Sequence, residues 1–67
     1  MAYAAGVDVG STQTKAAIIN ENRELVGIAL IDTGSNVVAA AENVFEKALK
    51  ESGIANEEVE YVIGTGY

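Results

Sequence analysis

The residues with the most chemical potential form one short segment, Asp8–Lys15, which holds a carboxylate, a glycine, two adjacent hydroxyls and a lysine. The backbone N–H groups of a tight turn can converge on one point and bind phosphate without net positive charge. Gly10 would let the main chain approach such an anion closely, and Asp8 could hold Mg²⁺ directly or through its water shell. The segment therefore predicts a phosphate and metal site, in which Lys15 could offset phosphate charge. An ordinary hairpin with a solvated lysine is the alternative that the spacing leaves open.

Three strands must position this segment. Small and apolar residues over Tyr3–Val9 predict a buried strand that carries Asp8 to its end, and Thr14–Asn20 and Leu25–Thr33 predict two more strands. The connections between them are only a few residues long, too short for a parallel crossover, so neighbouring strands must pair antiparallel. The candidate site then lies at the first turn of a three-stranded meander.

A helix follows the meander. After Gly34 the apolar residues recur every three or four positions, which predicts an amphipathic helix over residues 36–52. Ser35 or Asn36 can cap its start, and Gly53 can end it in the left-handed conformation.

One more strand, predicted over residues 59–64, completes the order β-β-β-α-β. Because the helix is a crossover, this strand should lie parallel to the first. We therefore expect a single partial α/β domain over residues 1–67, with hairpin strands over 3–33. One sheet face and one edge would have no cover. Such surfaces favour association, so we expect a homo-oligomer.

The composition limits the partners and the compartment. Ten acidic and four basic residues give a net charge of −6, which argues against nucleic acid or an anionic membrane surface as the main partner. The longest apolar stretch, Leu25–Ile31, is well short of the roughly 20 residues that span a bilayer. The N-terminus lacks the features of a secretion signal and the chain has no cysteine, so we expect a cytoplasmic protein.

The segment Gly6–Lys15 resembles the first phosphate motif of the acetate and sugar kinase, heat-shock 70 and actin superfamily. Its Asp-x-Gly-Ser-Thr-x-x-Lys form, together with Val62–Tyr67, is most similar to the activator ATPases of 2-hydroxyacyl-CoA dehydratases and benzoyl-CoA reductases. The resemblance covers essentially the whole chain and implies a ribonuclease-H-like, actin-like ATPase fold. It implies that the chain is an N-terminal piece of such an ATPase. We expect this piece alone to be inactive, because one face of a nucleotide site does not make a closed pocket.

The same resemblance implies roles for individual residues. Asp8 is expected to be the catalytic carboxylate and to hold Mg²⁺ through water, and the residues expected to bind ATP are Gly10, Ser11, Thr12, Gln13, Lys15, Thr65 and Gly66. In complete members, ATP hydrolysis drives electron transfer to the dehydratase or reductase partner, and two subunits share one [4Fe–4S] cluster. This chain has no cysteine and cannot ligate that cluster itself.

Three other functions stay open at this point. A sugar- or acyl-kinase lobe of the same superfamily would carry the same motif, and only further sequence would separate it from an activator. A non-catalytic self-associating module would leave the motif unused. Asp32–Ser35 resembles the catalytic loop of a dimeric aspartic protease, although the helical pattern after it favours a strand-to-helix turn in which Asp32 is structural.

Overall fold

The computed structural model describes residues 2–66, which form a four-stranded mixed sheet with one helix across one face. The elements are β1 (Tyr3–Val9), β2 (Gln13–Asn20), β3 (Leu25–Asp32), α1 (Val37–Ser52) and β4 (Val59–Gly66), with a short 3₁₀ turn at Asn56–Glu58. The strand order is β3-β2-β1-β4. β1 pairs antiparallel with β2 and parallel with β4, which confirms the predicted α/β fold.

The last strand is longer than its sequence suggests. β4 continues to Gly66, two residues beyond the predicted end at residue 64, with Gly64 opposite Val7 and Gly66 opposite Val9. Pairing with the central strand β1 outweighs the low strand propensity of glycine. Tyr67, which forms part of the resemblance, lies outside the described residues.

Helix α1 has a defined start and end. The Asn36 side chain accepts a hydrogen bond from the Ala39 amide at 3.0 Å, so Asn36 rather than Ser35 is the N-cap. Gly53 adopts φ 75° and donates its amide to the Leu49 carbonyl at 2.9 Å. Both ends follow the usual chemistry of caps, which satisfies backbone groups that the helix leaves unpaired.

The core lies between α1 and one face of the sheet. The helix presents small residues there, and the buried cluster consists of Ala5, Val7, Val9, Ala16, Ile18, Ala29, Val44 and Ala48. A side chain at Gly27 would come within 3.0 Å of the Ser52 side chain, so the end of α1 packs closely on β3. This packing holds β1 and β2 in place and thereby positions the turn between them.

The opposite face of the sheet, here called the open face, is covered by no element of the described chain. It carries small residues at its centre, with Gly6 between Ala17 and Ile63 in the strand register. Six large apolar side chains on it are 37–59% exposed: Ile19, Leu25, Ile28, Leu30, Tyr61 and Ile63. No helix within residues 2–66 is long and apolar enough to cross a membrane.

Candidate functional site

The turn between β1 and β2 is a compact hairpin whose shape depends on Gly10. The Gly10 amide donates to the Gln13 carbonyl at 2.9 Å. A Cβ at position 10 would lie 2.9 Å from that same carbonyl oxygen, closer than real Cβ atoms approach. Only glycine therefore allows the chain to turn this tightly.

Two buried threonines support the hairpin from the side of α1. Thr14 is fully buried and Thr33 is 5% exposed. Their hydroxyl oxygens lie 2.8 Å apart, and the Thr33 hydroxyl donates to the Gly10 carbonyl at 2.8 Å. The Thr33 amide donates to the Thr12 carbonyl at 2.9 Å. Every buried side-chain polar atom in the described part of the chain has a hydrogen-bond partner, these hydroxyls included.

Sequence reasoning did not single out these two threonines as part of the site. A signal was present, because Thr14 lies in register with Ala16 and Ile18 on the buried side of β2. Thr33 likewise follows Ala29 and Ile31 at two-residue spacing. A polar residue in line with core positions needs an internal partner. The Thr14 and Thr33 hydroxyls are each other's partner. The sequence alone does not reveal this pairing.

The hairpin leaves amides available for a ligand. Within residues 2–66, the amides of Ser11, Thr12 and Gln13 donate to no protein carbonyl around the turn. In a two-residue hairpin the Gln13 amide would ordinarily donate back to the Gly10 carbonyl. Here it makes no such bond, and the Gly10 carbonyl accepts from the Thr33 hydroxyl. Ser11, Thr12 and Gln13 are all exposed. Neighbouring free amides of this kind suit an anion such as phosphate.

A polar row lies next to the hairpin on the open face. Asp8 is directly opposite Lys15 on β2 and directly opposite Thr65 on β4. The Thr65 hydroxyl donates to Asp8 Oδ1 at 3.3 Å, and all three side chains are exposed. The structure therefore brings together the residues that the sequence singled out, with Gly66 opposite Val9 at the same end of the sheet.

The donor set limits how a metal could bind. Within the described residues, no group of three or more acidic, histidine or cysteine side chains is close enough to hold a metal ion. A metal ion at Asp8 would therefore have at most two side-chain ligands of these types from the described residues. This fits Mg²⁺, which usually takes one or two carboxylates and completes its shell with water and phosphate oxygens. It does not fit an iron–sulfur cluster, because the chain has no cysteine.

Next to the polar row, the open face forms a shallow apolar groove of about 410 Å³. Asp8 and Thr65 are at one end of it, and its walls include Ile19, Tyr61 and Ile63. A phosphate at the hairpin would therefore border an apolar surface rather than a closed pocket.

The second motif, Asp32–Ser35, connects β3 to α1. Asp32 is exposed and lies opposite Gln13, whereas Thr33 points inward to the hairpin. Neither Asp32 nor Ser35 caps the helix, because Asn36 does. Within this motif, the residue that hydrogen-bonds to the turn at Gly10 and Thr12 is thus Thr33 and not the aspartate.

Comparison with known proteins gives a consistent result. Residues 5–67 match the BadF/BadG/BcrA/BcrD ATPase family. The activator of lactoyl-CoA dehydratase from Anaerotignum propionicum is 31% identical over 65 residues, which are 97% of this chain and 25% of that protein.

Two solved structures share the fold. Component A of the (R)-2-hydroxyglutaryl-CoA dehydratase from Acidaminococcus fermentans matches with a TM-score of 0.87 and 27% identity, over 100% of this chain and 26% of that chain. The activator of 2-hydroxyisocaproyl-CoA dehydratase from Clostridium difficile, solved with bound ADPNP, matches with a TM-score of 0.80 and 33% identity, over 97% and 24%. The chain therefore spans about a quarter of the length of these relatives.

Proposed function

Because this chain belongs to the BadF/BadG/BcrA/BcrD ATPase family, we propose that its β1–β2 hairpin is the phosphate-binding part of an ATP site. The ATPase would be the activator of a 2-hydroxyacyl-CoA dehydratase or benzoyl-CoA reductase. The observation that carries the proposal is the set of free amides at Ser11, Thr12 and Gln13 beside the exposed Asp8 carboxylate. Together they offer donors for phosphate oxygens and one ligand for the metal ion that accompanies ATP.

Each site residue has a distinct role in this proposal. The amides of residues 11–13 bind phosphate oxygens, and the Ser11 and Thr12 hydroxyls add donors. Asp8 holds Mg²⁺ through its water shell, with the Thr65 hydroxyl orienting one carboxylate oxygen. Lys15 lies directly opposite Asp8 and offsets phosphate charge. Gly66, at the end of β4, lets the nucleotide pass close to the backbone. Mg²⁺ bound there would neutralise charge that develops on the phosphate oxygens during hydrolysis.

We assign ATP hydrolysis to a protein longer than this chain. The chain matches about a quarter of its relatives' length, and its hairpin borders an open groove instead of an enclosed site. Phosphoryl transfer depends on donors arranged around the transferring group and on exclusion of water. We therefore propose that these 67 residues are the N-terminal phosphate-binding lobe and hydrolyse no ATP alone. Electron transfer and a dehydratase or reductase partner are proposed for the longer protein only.

Self-association of the isolated chain is part of the proposal, with a second copy on the open face. The six large apolar side chains of that face would contribute on the order of 500–600 Å², the upper end of the range for the largest apolar patch on a monomeric protein, which is often functional. Two copies face to face would bury roughly 1,000–1,200 Å², near the lower limit for a specific interface.

The named relatives favour an activator over the other functions considered. None of the described residues supports a sugar or acyl kinase specifically, whereas three of the matched proteins are named as dehydratase activators. A non-catalytic module remains the outcome that a failed nucleotide titration would indicate. An aspartic protease is not proposed, because the chain around Asp32 continues directly into α1.

Calorimetric titration with ADPNP, with and without Mg²⁺, tests the proposal. We expect weak binding that depends on Mg²⁺ and that Asp8→Asn reduces to the metal-free level. Glu21→Gln is the matched control, since it removes the same charge from an exposed site in the turn at the other end of β2. Equal binding by the two variants would contradict a metal-binding role for Asp8.

A further inference from the structure

Thr33 makes two hydrogen bonds to the phosphate hairpin, although it lies 23 positions from Gly10 in the sequence. Its hydroxyl donates to the Gly10 carbonyl and its amide donates to the Thr12 carbonyl. Both ends of the two-residue turn are therefore bound to one residue, which is itself buried at the end of β3.

The hydrogen bonds of the two threonine hydroxyls have a defined direction. A hydroxyl has one proton to donate and two lone pairs to accept with. The Thr33 proton goes to the Gly10 carbonyl. In the 2.8 Å contact between the two hydroxyls, Thr14 must therefore be the donor and Thr33 the acceptor. Thr14 thus fixes the rotation of the Thr33 hydroxyl and directs its proton to the hairpin.

Peptide geometry converts these contacts into amide directions. In a planar trans peptide, the carbonyl of one residue and the N–H of the next point to opposite sides. When Thr33 binds the Gly10 carbonyl, the Ser11 N–H must point away from Thr33. When it binds the Thr12 carbonyl, the Gln13 N–H must also point away. The Gly10 carbonyl is bound by the buried Thr33 hydroxyl, so the Ser11 amide faces away from the core. The Thr12 carbonyl is bound by the backbone amide of Thr33, so the Gln13 amide is directed away from β3.

The hydroxyl also prevents a competing arrangement. Without it, the Gly10 carbonyl would be free to turn toward the Gln13 amide and so close an ordinary two-residue hairpin. That bond would consume one of the three amides that the hairpin offers. A carbonyl oxygen can accept two hydrogen bonds, so the Thr33 hydroxyl acts through direction: it holds the Gly10 carbonyl where the Gln13 amide makes no bond to it.

We propose that Thr33 is a positioning residue for the phosphate site: it holds the carbonyls of Gly10 and Thr12 so that the amides of Ser11 and Gln13 stay free for an anion. This inference rests on the proposed function for its ligand, but its effect on the amides is independent of any ligand. It gives a role to the Asp32–Ser35 motif different from either a protease loop or a helix cap.

Thr33→Val and Thr33→Ser are the informative pair of variants. Valine keeps the shape and the backbone amide but removes the hydroxyl, whereas serine keeps the hydroxyl. In Thr33→Val we expect Mg·ADPNP to bind roughly five- to tenfold more weakly, the ratio that corresponds to one lost hydrogen bond. We also expect the Gln13 amide to exchange more slowly with solvent deuterium, because it now donates to Gly10. Thr33→Ser should retain both properties of the unsubstituted chain.

Ile18→Val controls for a general loss of stability. Ile18 is fully buried in the same sheet and makes none of the hydrogen bonds that join Thr14 and Thr33 to the hairpin. A merely structural role for Thr33 would predict that Ile18→Val, at similar thermal stability, changes the Gln13 exchange as Thr33→Val does. An unchanged Gln13 exchange and unchanged affinity in Thr33→Val would overturn the proposal.

The exchange measurement separates this proposal from the ATP proposal. If the unsubstituted chain binds no Mg·ADPNP, the proposed function fails, while slowed Gln13 exchange in ligand-free Thr33→Val still supports the positioning role. If Thr33→Val does not fold, hydrogen-exchange measurements on the unsubstituted chain test the proposal. A slowly exchanging Thr33 hydroxyl proton together with a rapidly exchanging Gln13 amide is required, and protection of the Gln13 amide would refute the inference.

Discussion

Gly10 is the residue of the hairpin that tolerates no side chain, and the reason is a single distance. A Cβ at position 10 would lie 2.9 Å from the Gln13 carbonyl oxygen, which is a backbone atom. The carbonyl cannot move aside without breaking its bond to the Gly10 amide. The conformation that leaves the three amides free therefore depends on this glycine.

Gly10→Ala should weaken Mg·ADPNP binding at least tenfold, because the hairpin must open to admit the methyl group. It should also lower the free energy of unfolding by about 1 kcal/mol or more, the usual cost of a side chain forced into a close backbone contact. Titration calorimetry and denaturant unfolding would measure the two effects. Gly64→Ala is the control, since nothing lies within 4 Å of a Cβ at that position. Similar losses in both variants would contradict the account.

Residue types at the site could be predicted because they are local. Asp8 to Lys15 are adjacent in the sequence, and a strand-turn-strand pattern alone places them around one turn. Thr33 could not be predicted, because its role depends on the register of β2 against β3, which sets Thr12 beside Thr33. A one-residue change of register would move Thr33 to the other face. Sequence patterns indicate strands more reliably than they indicate register.

At the scale of the elements, α1 and its caps hold the two strands that bear the site. The helix could be predicted from apolar residues that recur every three or four positions and from Gly53 at its end. The sequence narrowed the N-cap to Ser35 or Asn36. The choice between Ser35 and Asn36 depends on where the chain leaves β3, which the sequence does not show. The end of β4 was harder to predict, because glycines that usually stop a strand are paired with β1.

Asn36→Ala should lower the free energy of unfolding by about 1 kcal/mol, the typical value of a lost helix N-cap. The Ala39 amide would lose its side-chain partner, which the structure places at 3.0 Å. Ser35→Ala should have almost no effect, because Ser35 does not cap the helix. Urea unfolding followed by circular dichroism would compare the two variants, and a larger loss in Ser35→Ala would show that the cap is misassigned.

At the scale of the whole molecule, the two sheet faces differ in cover. One face is packed against α1, and the open face exposes large apolar side chains beside the polar row of Asp8, Lys15 and Thr65. The isolated chain would therefore combine a candidate ligand site with an exposed apolar surface that favours self-association. Its net charge of −6 opposes close approach of two copies, so association should strengthen as salt screens that charge.

Ile63→Lys should shift the isolated chain toward the monomer, because it puts a charge among the large apolar side chains of the open face. Sedimentation velocity at several concentrations would measure the change. Val38→Lys is the matched control: Val38 is 66% exposed but lies on α1, away from the open face. A chain that is monomeric at all concentrations before substitution would contradict self-association, as would equal effects of the two substitutions.

The central claim is that the β1–β2 hairpin binds the phosphates of a nucleotide through its backbone amides. The most direct measurement is the change in amide ¹⁵N and ¹H chemical shifts of the whole chain during titration with Mg·ADPNP. We expect saturable shifts that are largest at Ser11, Thr12 and Gln13 and that Thr65 and Lys15 share to a lesser extent. Shifts confined to other parts of the chain, or none at millimolar nucleotide, would contradict the claim.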